Sequence, residues 1–258
     1  MRLGLILIED REAEMARLAE AHGLFGVVTG WGNPVTTIIG AVYASTATEH
    51  VRVVTRVQLG LEHPVTIAEE LSILDNVNNG RTVVLIDTGD LDQAAAAEET
   101  AVLREALSSR PIQHDGSRWK VPAGLPANVT APKSISVTPK PAQMEIPFWV
   151  TGSAAAGVGG ASGLAVLVQR PGPINEPKFV QPGLASITGD LKPDRERVTA
   201  WAEAGVTHLM LQLPEDAELD AIMTLISRHL GPEVMMPHFP RVMSESRVPL
   251  PWPGDSRR

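Results

Sequence analysis

Apolar positions along the first ninety residues alternate between two periods. Residues 3–8 form an unbroken apolar run, as a strand covered on both faces requires, and Glu12, Met15, Leu18 and Ala19 follow at helical spacing up to Gly23. The pattern repeats three times. Residues 24–29 predict a strand, the turn Trp31-Gly-Asn-Pro34 comes next, and residues 37–46 predict a helix. Residues 51–58 are rich in β-branched side chains and predict a third strand. Pro64 then opens a helix to about Leu74, placed in the first turn where its missing N–H does no harm, and Asn79-Gly80 stops it. Residues 82–86 predict a fourth strand and the Ala-rich stretch 91–107 a fourth helix. Four strand-then-helix units on short loops imply a parallel sheet with right-handed crossovers, either a closed barrel or an open doubly wound sheet.

The second half is less regular. Residues 110–145 are proline-rich without a sustained period and predict a long connection carrying a hairpin. Strands are expected at 146–151 and 164–168, with a short Gly/Ala helix at 153–161 between them. A weak strand signal covers 184–188, then a helix at 194–204, a strand at 208–213 and a helix at 220–230. The expected fold is an α/β barrel of the eightfold (β/α) type, shortened or incomplete in its second half. It forms one domain over 1–236, followed by a proline-rich arm at 237–258.

Composition narrows the chemistry. With 22 Lys and Arg against 30 Asp and Glu, the formal charge of −8 gives no attraction for nucleic acid or anionic membranes. The chain has no cysteine, so disulfides, thiolate nucleophiles and cysteine-based zinc sites are excluded, and its seven histidines show no metal-ligand helical spacing. No apolar run reaches the ~18 residues of a membrane span, and the N-terminal run lacks a cleavable-signal pattern; a cytoplasmic location is the expectation. No nucleophile elbow or phosphate loop is present.

The order of the segments carries a resemblance. Glu49-His-Val-Arg-Val-Val-Thr-Arg-Val-Gln-Leu-Gly-Leu-Glu-His-Pro64, Ala68-Glu-Glu-Leu-Ser-Ile-Leu-Asp75, Asn79-Gly-Arg81, His114-Asp-Gly-Ser-Arg-Trp119, the stretch from Pro139 to Ser153 and Trp201-Ala-Glu-Ala-Gly-Val-Thr-His-Leu-Met-Leu-Gln212 together resemble the bacterial luciferase-like flavin monooxygenase family. The resemblance implies a barrel, often paired as a homodimer or as a heterodimer with a related barrel. It would bind reduced FMN or a deazaflavin coenzyme at the C-terminal ends of the strands and act on a small-molecule substrate, with a flavin reductase as a possible partner. Chemistry would be oxygenation by reduced flavin and O₂, or deazaflavin hydride transfer. The rival reading is a non-catalytic relative that stabilises a catalytic partner or binds flavin without turnover.

Barrel logic places a site on the same rim. Candidate cofactor-binding residues there are Trp31, Gln58, Asp87, Thr88, Thr151, Gly152, Ser153 and Arg170. Trp31 either stacks on a ring or covers a barrel end, and Gln58 is either a ligand or a satisfied interior amide. Gly152 and Ser153 either hold an anion at a helix N-terminus or cap that helix. Gly157-Val-Gly-Gly-Ala-Ser-Gly163 reads as close helix packing more than as a dinucleotide loop. Three departures from the family pattern stand out, one being that the loop after the second strand is only Gly30-Trp-Gly-Asn-Pro34, without the family's histidines or acids. The family's phosphate-binding arginine after the fourth strand falls on Thr88, with the carboxylate of Asp87 beside it to repel phosphate, and Arg170 is the candidate replacement. The helical insertion late in the barrel is missing between Val168 and Lys192, which is expected to leave the substrate side open or remodelled.

Overall fold

The computed structural model describes residues 1–33, 37–124, 130, 132–172, 180–214 and 217–230. The predicted arm at 237–258 and Pro34 of the second turn lie outside the described residues. The four amino-terminal units fold as the apolar periods require: β1 (Arg2–Ile6), α1 (Glu12–Ala21), β2 (Gly26–Thr29), α2 (Thr37–Thr46), β3 (Arg52–Gln58), α3 (Pro64–Val77), β4 (Thr82–Asp87) and α4 (Gln93–Leu107). Helix α3 runs three residues past the expected Leu74, and Asn79 and Gly80, both at positive φ, turn the chain into β4. Helix α4 starts at Gln93 rather than Leu91 because the Asp92 carboxylate accepts from Ala95 N at 2.8 Å, an N-cap.

A short antiparallel hairpin, β5 (His114–Asp115) with β6 (Lys120–Val121), occupies the long connection as expected. Then come β7 (Phe148–Thr151), α5 (Ala155–Ser162), β8 (Ala165–Val166), β9 (Pro182–Ser186), α6 (Leu191–Glu203), β10 (His208–Gln212) and α7 (Leu219–Leu225), which continues into a π-turn over Ile226–Leu230. The weak strand signal was therefore a real strand. Eight parallel strands pair in the order β8-β7-β4-β3-β2-β1-β10-β9. The ends meet at one parallel bridge, where Val168 N donates to Pro182 O (3.0 Å) and Leu184 N donates to Val168 O (2.9 Å). The sheet is a nearly closed barrel, and the shortening falls in the β8-to-β9 connection, where no helix occurs among the described residues.

Side chains alternate between a helix-facing core and a packed lumen. Ile6, Val28, Val54, Leu85, Trp149 and Met210 fill the lumen. Gly4 makes room for the methionine, since a Cβ there would lie 2.6 Å from Met210 Sδ. At the N-terminal face a buried polar web ties the strands: Gln143 bonds Asp75 and Thr82 O, while Arg81 donates to the carbonyls of Ser45, Thr48, Val51 and Asn78. Several residues of the recognisable stretches thus hold the barrel's bottom, where barrel residues serve stability. Among the described residues no helix is long and apolar enough to cross a membrane.

Candidate functional site

At the C-terminal end of the lumen the apolar filling gives way to charge. Position 56 of β3 and position 87 of β4 both point into the barrel mouth, because each lies an even number of residues from a lumen-facing neighbour, Val54 and Leu85. Arg56 spends four of its five N–H donors there. Nε donates to Asp87 Oδ2 at 3.0 Å, Nη2 bonds the same oxygen, and Nη1 donates to the carbonyls of Gly30 (3.0 Å) and Trp31 (2.7 Å). Side-chain exposures of 17% and 12% leave the pair mostly out of water. The Trp31 ring lies over the guanidinium, 5.3 Å from Cζ to ring centre.

This changes the expected role of Asp87. Its carboxylate is not a bare repulsive charge beside an incoming phosphate, because Arg56 neutralises it and Gly89 N donates to Oδ1 at 2.9 Å. Sequence reasoning passed over Arg56. The signal was an arginine inside a β-branched strand, two residues before Gln58, where a cation must face the lumen or the helix layer and needs an acid within reach.

The other candidates divide into structural groups and free ones. Thr88 is fully buried, and its hydroxyl accepts from Ala154 N at 3.2 Å, so it fastens β4 to the start of α5. Thr151 is buried opposite Asp87, and its carbonyl accepts from Thr88 N at 3.0 Å. Gly152 has φ +101°, and a Cβ there would lie 2.4 Å from Thr88 Oγ1 and 2.7 Å from Asp87 Oδ1; only glycine fits against this corner of the mouth. Ser153 does not cap α5. The N-cap position is Ala154, without a side-chain bond, and Ser153 Oγ instead donates to Gly89 O at 3.2 Å. Gln58 is half-buried beside Gly89, and its amide has no hydrogen-bond partner among the described residues. Arg170 is exposed beyond β8, likewise without a partner among the described residues. The glycines of α5 serve packing: Gly157 lies against Gln93, and Gly159 against Val166.

The loop after β9, the seventh barrel strand, is where such barrels often hold phosphate on backbone donors. Here those donors are taken. Asp194, fully buried at the start of α6, accepts from Thr188 N (2.9 Å), Thr188 Oγ1 (3.0 Å) and Gly189 N (2.8 Å), with Arg197 at 3.1 Å. Beside Trp31, the recess bounded by Leu7, Glu9, Thr29, Gly30 and Asn33 measures about 20 Å³, room for about one water. A groove of about 500 Å³ opens along β9 and α6, lined by Gln169, Leu184, Ala185, Arg197 and Trp201, next to the shortened connection. Among the described residues no cluster of His, Asp and Glu has the makings of a metal site.

Fold and mouth together define an eight-stranded α/β barrel with a polar, aromatic-covered C-terminal end. Residues 10–170 match the model of the luciferase-like monooxygenases, more than half of the chain, and the chain belongs to that family. An uncharacterised protein of Mycobacterium tuberculosis is 27% identical, with 69% of each chain covered. Among solved structures, a monooxygenase from Streptomyces bottropensis superposes with a TM-score of 0.71 at 16% identity, covering 90% of this chain and 99% of that one. A coenzyme F420 dependent tetrahydromethanopterin reductase from Methanopyrus kandleri gives 0.61 at 12% identity, with 90% and 99% covered. These likenesses establish the barrel fold.

Proposed function

We propose that the chain is an oxidoreductase that binds a reduced flavin or deazaflavin ring at the barrel mouth and acts on a small organic substrate. The observation that carries this reading is the set of Trp31 over Arg56 with, two residues along β3, the Gln58 amide, which has no hydrogen-bond partner among the described residues. An indole and a guanidinium present flat faces to a planar ring, and a free amide offers both a donor and an acceptor to its polar edge. Family membership and the family's mixture of monooxygenases and F420-dependent reductases support it. When bound, the reduced ring supplies the electrons, as hydride or by reaction with O₂.

The chain's own groups place the ring and keep water out. Arg56 holds the Gly30-Trp31 turn through two carbonyls, so the indole is positioned by an ion pair that is itself anchored in β4. Substrate would approach from the open groove along β9 and α6. Within this reading the chain works in the cytoplasm, is supplied with reduced ring by a separate reductase and pairs with a second barrel. Exposed Ile39, Tyr43, Ile73 and Val77 on α2 and α3 suit such a pairing.

A second reading, a non-catalytic barrel that stabilises a catalytic partner, is favoured by the mouth itself, which the Arg56–Asp87 pair and Trp31 close. Titration separates the two. The purified chain is mixed anaerobically with reduced FMN and reduced deazaflavin coenzyme and followed by thermal shift, then by ring absorbance on admitting O₂ or an oxidised substrate. A stabilising shift, lost in Gln58→Ala and Trp31→Ala, supports the oxidoreductase. No shift with either ring leaves the partner-subunit reading as the better one.

A further inference from the structure

Glu99 is a fully buried carboxylate on α4, outside the set of residues that face the mouth. Donors from two distant segments converge on it. The Gly60 N–H donates to Oε1 at 2.7 Å, and Arg118 Nε (3.1 Å) and Trp119 Nε1 (3.3 Å) donate to Oε2. A carboxylate is tolerated out of water only with such partners, so α4, the turn after β3 and the β5–β6 hairpin are tied at one point. The adjacent Glu98 holds the same hairpin through its backbone, accepting from the N–H groups of Arg118 (2.9 Å) and Trp119 (2.8 Å). The Trp119 and His63 rings meet edge to face with centres 4.4 Å apart, and His63 Nδ1 accepts from Val65 N (3.1 Å) at the start of α3.

The turn held in this way continues the strand that carries the site. Gly60 lies two residues past Gln58 and has φ +84°, Leu59 N between them donates to Asp87 O at 2.9 Å, and the Gln58 side chain lies against Gly89. We propose that Glu99 is a positioning residue: through Gly60 it fixes the end of β3, and with it the direction in which the Gln58 amide meets the ring edge. The inference rests on the oxidoreductase reading of the mouth. Holding the turn before the ring arrives spares the entropy of ordering it on binding. One neutral hydrogen bond from that amide to the ring is worth about two- to tenfold in affinity. Because Glu99 acts through Gln58, the two residues share that factor, and losing both costs no more than losing one.

The test uses the whole chain as wild type, Glu99→Gln, Gln58→Ala and the double variant. Reduced FMN and reduced deazaflavin coenzyme are titrated anaerobically by ring fluorescence and thermal shift, and exchange of the Gly60 amide is followed by NMR. Gly60 exchange is expected to be at least about tenfold faster in Glu99→Gln. Ring affinity should fall about two- to tenfold in each single variant, with the double variant within about twofold of the weaker single. Losses that multiply in the double variant, unchanged Gly60 exchange, or an unchanged affinity in Glu99→Gln overturn the proposal and leave the oxidoreductase reading standing. An unchanged affinity in Gln58→Ala overturns it too. If Glu99→Gln does not fold, Trp119→Phe gives the same comparison, since it keeps an aromatic ring against His63 and removes only the Nε1 donor; its smaller loss should again vanish in the Gln58→Ala background, and a loss that persists there overturns the proposal. Failure of both rings to bind the wild type overturns both readings.

Discussion

Replacing Asp87 by Asn removes one charge and keeps the shape and the Oδ1 acceptor used by Gly89 N. Arg56 would then lose its only charged partner among the described residues while remaining 17% exposed at the mouth, held by two carbonyls. Breaking one side of a buried pair costs about 3–5 kcal/mol, and residual exposure of both partners lowers the expectation to about 2–3 kcal/mol. For a chain of this size that is a fall in Tm of about 4–12 °C. The cycle is completed with Arg56→Met and with Arg56→Met/Asp87→Asn, measured by urea denaturation and calorimetry. The double variant should be less destabilised than the sum of the singles by at least about 1 kcal/mol, because each single leaves one charge unpaired and the double leaves none. A loss below about 0.5 kcal/mol in Asp87→Asn, with additive behaviour in the double, would refute the claim that this pair organises the mouth.

Glu98 gives a pH prediction. The Ser117 hydroxyl (2.6 Å), the N–H groups of Trp119 (2.8 Å) and Arg118 (2.9 Å) and the His114 ring hold its carboxyl at about 2, below the usual 4.5. A depressed carboxylate stabilises above its unfolded value, so the contribution is present above about pH 4.5 and is lost as pH falls toward 2. The Tm gap between wild type and Glu98→Gln should be constant from pH 7 to 5 and close between 4.5 and 2; a gap that persists at pH 2 speaks against this account. Gly152→Ala should cost more than about 2 kcal/mol, from the positive φ and the collision with Thr88 and Asp87 together, and should disturb ligand binding; a neutral result by denaturant titration would show that the corner yields.

Much of the barrel was readable in one dimension because its signals are local. A parallel strand buried on both faces must be a continuous apolar run, and the helix covering it must repeat at 3.6 residues, so β1 through α4 follow from composition and period alone. Caps and stops were equally local: Pro64 at the start of α3, and Asn79 and Gly80 at its end. The residues that carry the family resemblance were also visible, though Gln143 and Arg81 among them turn out to bond the bottom of the barrel.

What the tertiary structure decided is how distant residues meet. Arg56 and Asp87 are 31 positions apart and become partners only because β3 and β4 pair in a register that aims both into the lumen. Without that register, Asp87 read as an unpaired carboxylate and Arg56 as an ordinary strand residue. Closure of the sheet also depends on a contact no period announces, the bridge from Val168 to Gly183 across a shortened connection. Local physics sets the type of each element, because propensity and burial pattern act over a few residues. Register, closure and charge pairing are set by which elements become neighbours, and only the folded chain expresses that choice.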